Sequence, residues 1–191
     1  MALLRHPLVT AALTLLVGVL LAGPVQAQLL TQTEALALAF PEADSTERRT
    51  AYLTEGEVER ALELAGEDVR RPSSIVTHYV ALQGGAPVGV AYFDAHRVRT
   101  LNEVLMVVVG LDDRVGRIET VSFREPPEYE APEGWLELFE GRRLDEDLSL
   151  KGDIPTMTGA TLTARAVTRA TRRILALHAV VRPFDDARAD R

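Results

Sequence analysis

Residues 75–82 read Ile-Val-Thr-His-Tyr-Val-Ala-Leu and are followed at once by a glycine pair, Gly84-Gly85. β-branched and aromatic residues are typical of strands, and paired glycines are typical of tight turns. Residues 88–93 have the same strand-like character, so the stretch predicts a β-hairpin. The two strands must be antiparallel, because so short a connection cannot form a parallel pair.

A second hairpin is predicted immediately downstream. Residues 104–111 form a continuous apolar run, residues 112–116 form a turn, and residues 117–123 alternate between apolar and polar. The part of the run at residues 104–109 is apolar on both faces, so we expect this strand to be covered on both sides. Together the hairpins predict an antiparallel sheet of about four strands.

The segment before the sheet, residues 28–72, is predicted to be helical. Thr33 is the predicted start of a first helix. Thr54 followed by Glu57 has the form of a capping box, and Gly66 is expected to end that second helix. The polar residues between these two helices, 44–49, predict a loop or a weak helix.

Helices are also predicted after the sheet. Residues 132–139 begin with proline and predict a short helix. Residues 162–177 place apolar side chains on one helical face. Four arginines lie off that face: Arg165, Arg169, Arg172 and Arg173. The predicted fold class is therefore α+β, an antiparallel sheet flanked by N-terminal helices and a C-terminal helix, with residues 183–191 as a disordered tail.

The first 27 residues have the order of a secretory signal peptide. Arg5 and His6 form a positive start, and residues 8–22 are an apolar run. Within residues 25–27, Val25 and Ala27 are small side chains at the two positions that a signal peptidase reads. The run is short for a membrane span, which needs about 20 residues. We therefore expect removal of residues 1–27 and export to the periplasm or extracytoplasmic side of the membrane. An uncleaved N-terminal anchor is the alternative.

Composition excludes several classes of function. The chain has 21 Lys and Arg residues against 28 Asp and Glu residues, a formal net charge of −7. An acidic chain without a basic cluster argues against nucleic acid as a partner. The absence of cysteine excludes disulfides, thiolate catalysis and cysteine-ligated metals.

Catalytic and metal-binding residues are not indicated either. His78, His96 and His178 show no pair at metal-ligand spacing. Glu125 and Glu128 flank two prolines after the predicted sheet, and such carboxylates are more often solvated loop residues than an acid–base pair. We therefore assign no catalytic residue and no metal site.

The most informative stretch precedes the C-terminal helix and consists of Thr158-Gly159-Ala160-Thr161-Leu162-Thr163. It places small residues and hydroxyls at a helix N-terminus, where free backbone N–H groups and the helix dipole favour a phosphate. Gly159 and Ala160 allow a bulky ligand to approach the backbone. The hydroxyl of Thr161 can hydrogen-bond a phosphate or be esterified by one. The alternative is ordinary helix capping by Thr158 or Thr161.

These residues resemble a known family. The segment 73–182, most clearly residues 75–177, is similar to the flavin mononucleotide (FMN)-binding domain of the C subunit of sodium-pumping NADH:quinone oxidoreductase, of the related Rnf-type subunit, and of small exported proteins. In that family a Ser/Thr-Gly-Ala-Thr/Ser motif precedes a helix, and its last hydroxyl carries FMN through a phosphoester. The resemblance assigns covalent FMN to Thr161, with the rest of residues 158–163 as its binding surroundings. Arg99-Thr100 and the residues 123–129 and 135 are also similar to small exported members.

The resemblance implies an extracytoplasmic electron-transfer flavoprotein, a redox carrier rather than a stand-alone enzyme. It further implies two partners: an exported magnesium-dependent flavin transferase that uses FAD as donor, and a redox partner in the membrane. One position departs from the family, which usually has Asp six residues before the acceptor. Here that position is Pro155, and the nearest acid is Asp153. A flavin-free periplasmic binding or structural module is the alternative function.

Overall fold

The computed structural model describes residues 30–66 and 68–185, so the predicted signal peptide and the end of the predicted tail lie outside the described residues. The five strands are β1 (Ser45–Tyr52), β2 (Ile75–Gln83), β3 (Ala86–Arg97), β4 (Asn102–Val109) and β5 (Val115–Phe123). The α-helices are α1 (Gln32–Ala39), α2 (Glu55–Ala65), α3 (Glu133–Leu136) and α4 (Thr161–Val181). The strands form one antiparallel sheet in the order β1-β2-β3-β4-β5. The α+β prediction is confirmed, with five strands rather than about four.

The additional strand is β1, which lies in the segment predicted to be helical. It pairs along its whole length with β2, from Ser45 opposite Leu82 to Tyr52 opposite Ile75. Almost every side chain of β1 is exposed. An edge strand with neither face buried has no hydrophobic alternation, so the polar residues 44–49 gave no strand signal. The prediction of a loop or weak helix there is wrong.

The sheet has two covered faces of unequal size. On the larger face, α2 and α4 pack over alternate residues of the strands, among them Val80, Tyr92 and Val107. On the smaller face, Ala35 and Leu36 of α1 pack against a second cluster of strand residues. The long helix α4 therefore lies against the larger face, with its start near the β3–β4 turn.

Strand β4 confirms the expectation of a buried interior strand. Its residues Leu105 and Val107 are fully buried on the face of α4, and Met106 is fully buried on the opposite face. The strand lies between β3 and β5 and ends at Val109.

The helix starts partly follow the predictions. Thr54 and Glu57 form the predicted capping box of α2, and Gly66 ends that helix with a φ of +97°. The first helix, however, is capped by Thr31 and not by Thr33, because Thr31 has Glu34 three residues later to complete a capping box.

The C-terminal part is more ordered than expected. Helix α4 extends to Val181, and Phe184, inside the predicted tail, is buried against His178. Residues 183–185 of the predicted tail are therefore part of the described fold. Among residues 30–66 and 68–185, no helix is long and apolar enough to cross a membrane.

Candidate functional site

The start of α4 has no side-chain cap. Ala160 is the N-cap residue, and no side chain accepts a hydrogen bond from the N–H groups of the first turn. The first turn also contains no acidic residue. Neither Thr158 nor Thr161 therefore caps this helix with its side chain. The N–H groups that open a helix lack intrahelical acceptors, and no side chain takes that place at the start of α4.

Gly159 gives this turn its shape. Its φ is +83°, a conformation that side chains with a Cβ rarely adopt. A Cβ built on Gly159 meets nothing within 4 Å, so the space beside the turn is open. The glycine is needed for the backbone conformation, and the open space leaves room for a ligand.

The two threonines of the motif that flank Gly159 and Ala160 are both exposed. The Thr161 hydroxyl donates a long hydrogen bond of 3.3 Å to the carbonyl oxygen of Met157. Because Thr161 Oγ1 is the donor in this bond, its lone pairs are not used by it. Thr158 is exposed one residue before Gly159. Of these two hydroxyls, the one of Thr161 belongs to the helix and lies within its first turn.

The remaining motif residues differ in their exposure. The Thr163 side chain is buried and donates a 2.6 Å hydrogen bond to the carbonyl oxygen of Tyr129, which ties α4 to the segment after β5. Ala160 is buried as well, whereas Leu162 is 46% exposed. Thr163 therefore supports the site, and Leu162 is available at its surface.

Glu125 organises the turn that faces the motif. Its carboxylate accepts hydrogen bonds from the backbone N–H groups of Arg99, Thr100 and Leu101, at 3.2, 2.5 and 2.7 Å. The bond from Leu101 is the largest cause that lowers the pKa of Glu125, followed by the bond from Thr100. Glu125 is buried, so the expectation of a solvated loop carboxylate is wrong for this residue, whereas Glu128 is exposed as expected. Its partners lie 24 to 26 residues away, a distance at which the sequence gives no signal.

The stretches that carried the family resemblance meet at one cavity of about 190 Å³. It is lined by the β3–β4 turn, the segment after β5 and the motif: Val98, Arg99, Glu125, Tyr129 and residues 159–163. Two larger cavities adjoin the same end of α4. One of about 300 Å³ includes Leu162 in its lining, and one of about 650 Å³ includes Thr161. Small-molecule sites usually occupy about 300 to 1,000 Å³, so the larger pair is in the range for an organic cofactor.

The residues just before the motif are held in place by other contacts. The carbonyl oxygen of Pro155 accepts a 2.9 Å hydrogen bond from the indole N–H of Trp135. Asp153, the acid closest before the motif, forms an ion pair with Arg142. Pro155 thus contributes a backbone contact, and the nearest carboxylate before the motif is paired with an arginine.

A buried network of charges lies beside the 300 Å³ cavity. Arg173 of α4 binds Asp94 of β3 through two hydrogen bonds of 2.8 and 2.5 Å. His96 bridges Asp94 at 3.0 Å and Glu103 of β4 at 2.9 Å. The network holds α4 against two strands at the end of the sheet where the motif lies.

The titration of this network follows from its contacts. Burial acts to lower the pKa of His96, but the hydrogen bonds and charges of Asp94 and Glu103 outweigh burial and raise it. For Asp94 burial acts to raise the pKa, and the bonds from His96 and Arg173 outweigh it and lower the pKa. The contacts with Asp94 and Glu103 therefore favour the protonated form of His96, a role that its isolated position in the sequence did not indicate.

We expect His96→Gln to destabilise the protein more at pH 5.5 than at pH 9.5. The raised pKa of His96 means that its contribution is fully present below the unfolded pKa of about 6.5 and is lost as the pH rises through the folded pKa. Hydrogen bonds to charged groups contribute about 1.5 to 3 kcal/mol each, so we expect a loss of about 2 kcal/mol at pH 5.5. Urea unfolding of both proteins at the two pH values measures this. An equal loss at both pH values would mean that folding does not raise the pKa of His96.

The other two described histidines of the sheet and α4 lie elsewhere. His178 contacts the Tyr92 hydroxyl at 3.1 Å and Asp113 at 3.1 Å, at the opposite end of α4 from the motif. His78 stacks on Tyr92. These contacts belong to the buried face of the sheet and do not contribute to the motif.

Comparison with protein families gives one match. Residues 101–176, less than half of the chain, match the model of the FMN-binding domain. The matched stretch runs from the start of β4 through β5 to most of α4 and includes the whole motif at residues 158–163. None of the curated proteins compared with the chain matches it. The match confirms the predicted resemblance and implies FMN as the cofactor.

Proposed function

Because residues 101–176 match the FMN-binding domain, we propose that this protein is an extracytoplasmic electron carrier with FMN attached to Thr161 through a phosphoester. The observation that carries the proposal is the exposed Thr161 hydroxyl in an uncapped first helical turn. A phosphate on this oxygen lies at the positive end of the helix dipole, beside N–H groups that lack intrahelical acceptors.

The residues around Thr161 fit such a group. Gly159 keeps the space beside the turn open, and Leu162 offers an exposed apolar surface. Thr163 cannot easily replace Thr161 as acceptor, because its hydroxyl is buried and bonded to the Tyr129 carbonyl oxygen. Arg99, whose own N–H is fixed by Glu125, adds a positive charge to the lining of the adjoining cavity.

Attachment is a phosphoryl transfer to the threonine oxygen. With FAD as donor, a bond forms between Thr161 Oγ1 and the phosphorus of the FMN half, and the pyrophosphate bond breaks. AMP leaves, and the hydroxyl proton is released. The exported, magnesium-dependent flavin transferase implied by the resemblance is the proposed catalyst, so this chain acts as its substrate.

Once attached, FMN supplies the electron chemistry, and the protein supplies attachment, orientation and surrounding charge. The α4 turn would hold the phosphate, and the ion network behind it holds α4 on the sheet. A covalent bond suits a compartment in which a lost cofactor is not readily replaced. We propose a membrane redox partner as the source or acceptor of the electrons.

The test is the intact mass of the protein after coexpression with a flavin transferase. We expect wild type to gain the mass of FMN minus one water, and Thr161→Ala to lose this gain completely while remaining folded. Thr161→Ser keeps an oxygen and should retain attachment. The matched control is Thr158→Ala, which changes the same turn without removing the acceptor.

Two outcomes would contradict the proposal. A wild type without added mass, despite an active transferase, would mean that Pro155 in place of Asp prevents recognition, and would favour the flavin-free module. A mass gain in Thr161→Ala would place the acceptor at another hydroxyl. Unfolding of Thr161→Ala is not expected, because its side chain makes no cap.

A further inference from the structure

The two larger cavities beside the motif share one wall. Arg165 and Arg169 of α4 line both the 300 Å³ cavity and the 650 Å³ cavity. An extended ligand at the motif that occupies either cavity therefore lies beside these two arginines.

These arginines also follow Thr161 at regular helical spacing. Thr161, Arg165 and Arg169 are four residues apart in succession, and residues at this spacing lie on the same side of a helix about one turn apart. A ligand joined to Thr161 and extending along α4 therefore passes first Arg165 and then Arg169.

The other two arginines of this helix are engaged by the fold. Arg172 donates to the carbonyl oxygens of Ala65, Asp145 and Leu148. Arg173 is buried against Asp94. Arg165, by contrast, is exposed, and the contact of Arg169 with Asp68 is an ion pair in which the aspartate side chain is 85% exposed. Such exposed pairs contribute at most about 1 kcal/mol, so Arg169 can be recruited by a ligand.

The charge of the two cavities is opposite to that of the chain. Further cations line them: Arg70, Arg97 and Lys151. Among the lining residues that the structure describes, Asp68 is the one acid. In a chain of net charge −7 this concentration of cations creates a local site for a negative ligand.

Resting on the proposed attachment at Thr161, we propose that Arg165 and Arg169 stabilise the anionic reduced form of the flavin and so set its midpoint potential. Reduction takes two electrons from an external donor and one proton, and leaves a negative charge on the ring. Oxidised flavin has no such charge, so the arginines favour the reduced form. Their loss makes the flavin harder to reduce.

The experiment is a reductive titration with dithionite of the flavin-loaded protein against reference dyes. We expect Arg165→Gln combined with Arg169→Gln to lower the preference for the reduced form about tenfold. For a two-electron couple this is a shift of the midpoint potential by about 30 mV to more negative values. The combination Arg165→Lys and Arg169→Lys keeps the charges and should retain most of the wild-type potential. Arg60→Gln on α2 removes the same charge from a side chain that is 63% exposed and should leave the potential unchanged.

Salt separates an electrostatic role from a structural one. We expect the difference between wild type and the double glutamine variant to shrink between 0.05 and about 1 M salt, where the screening length falls to about 3 Å. A potential that is the same in wild type and in the double glutamine variant would overturn the proposal.

A second arm does not depend on covalent loading. The Thr161→Ala chain is titrated without oxygen with free oxidised FMN and with free reduced FMN. We expect the reduced form to bind about tenfold more tightly, and the preference to disappear when both arginines are replaced by glutamine. Equal binding of the two forms would contradict the role of the arginines. A wild type without covalent flavin would contradict the proposed function alone.

Discussion

Val107→Asp is expected to unfold this protein at room temperature. Val107 is fully buried in β4, between β3 and β5, on the face that α4 covers. An aspartate there would place a carboxylate in a site surrounded by apolar side chains. Burial of an unpaired charge is among the few changes that cost more than about 4 kcal/mol, which is a large share of the stability of a typical domain. Circular dichroism and urea unfolding measure the loss.

The matched control is Val88→Asp in the adjacent strand β3. Val88 is 38% exposed, so the same substitution leaves the carboxylate in contact with water. We expect it to cost only about 1 kcal/mol, which is the range of strand propensity. If both variants unfold at the same urea concentration, burial of Val107 is not the cause of the effect.

Arg173→Met is expected to cost about 3 to 5 kcal/mol. The side chains of Arg173 and Asp94 are 6% and 10% exposed, and removal of Arg173 leaves the buried Asp94 to share His96 with Glu103. The loss should appear as a lower urea midpoint without a change in slope.

A double variant separates the charge effect from lost packing. Asp94→Asn combined with Arg173→Met removes both charges of this ion pair and leaves the contact between His96 and Glu103 in place. We expect the double variant to be more stable than Arg173→Met alone. The comparison is Arg169→Met on the same helix, which breaks a half-exposed pair and should cost less than about 1 kcal/mol. A double variant no more stable than Arg173→Met would show that the uncompensated charge is unimportant.

The sequence predicted those parts of the fold whose signals are local. The hairpins and the long C-terminal helix follow from the alternation and spacing of apolar residues, and the capping box at Thr54 follows from a three-residue motif. Strand β1 was missed because it is defined only by its backbone pairing with β2. The first helix start was misplaced because Thr31 and Thr33 both precede helical residues, and only Glu34 distinguishes them.

The candidate site was predictable in its motif and not in its surroundings. The six residues 158–163 are consecutive, so the motif and its place at a helix start could be recognised directly. Glu125 and the pair Asp94–Arg173 act across 24 to 79 residues, and no local pattern marks such partners. The absence of a side-chain cap on α4 was not predictable either, because two threonines at the helix start favour one.

The long-range contacts of α4 have a consequence for the order of folding. Its arginines reach Ala65 and Asp94 across 107 and 79 residues, whereas each strand pairs with the strand next to it in sequence. Contacts between distant residues form late, because more chain entropy is lost before they are made. Because synthesis starts at the N-terminus, the five-stranded sheet can form before α4 has been synthesised. The turn that presents Thr161 is therefore among the last surfaces to be completed, and under the proposed attachment a chain truncated before α4 carries no acceptor.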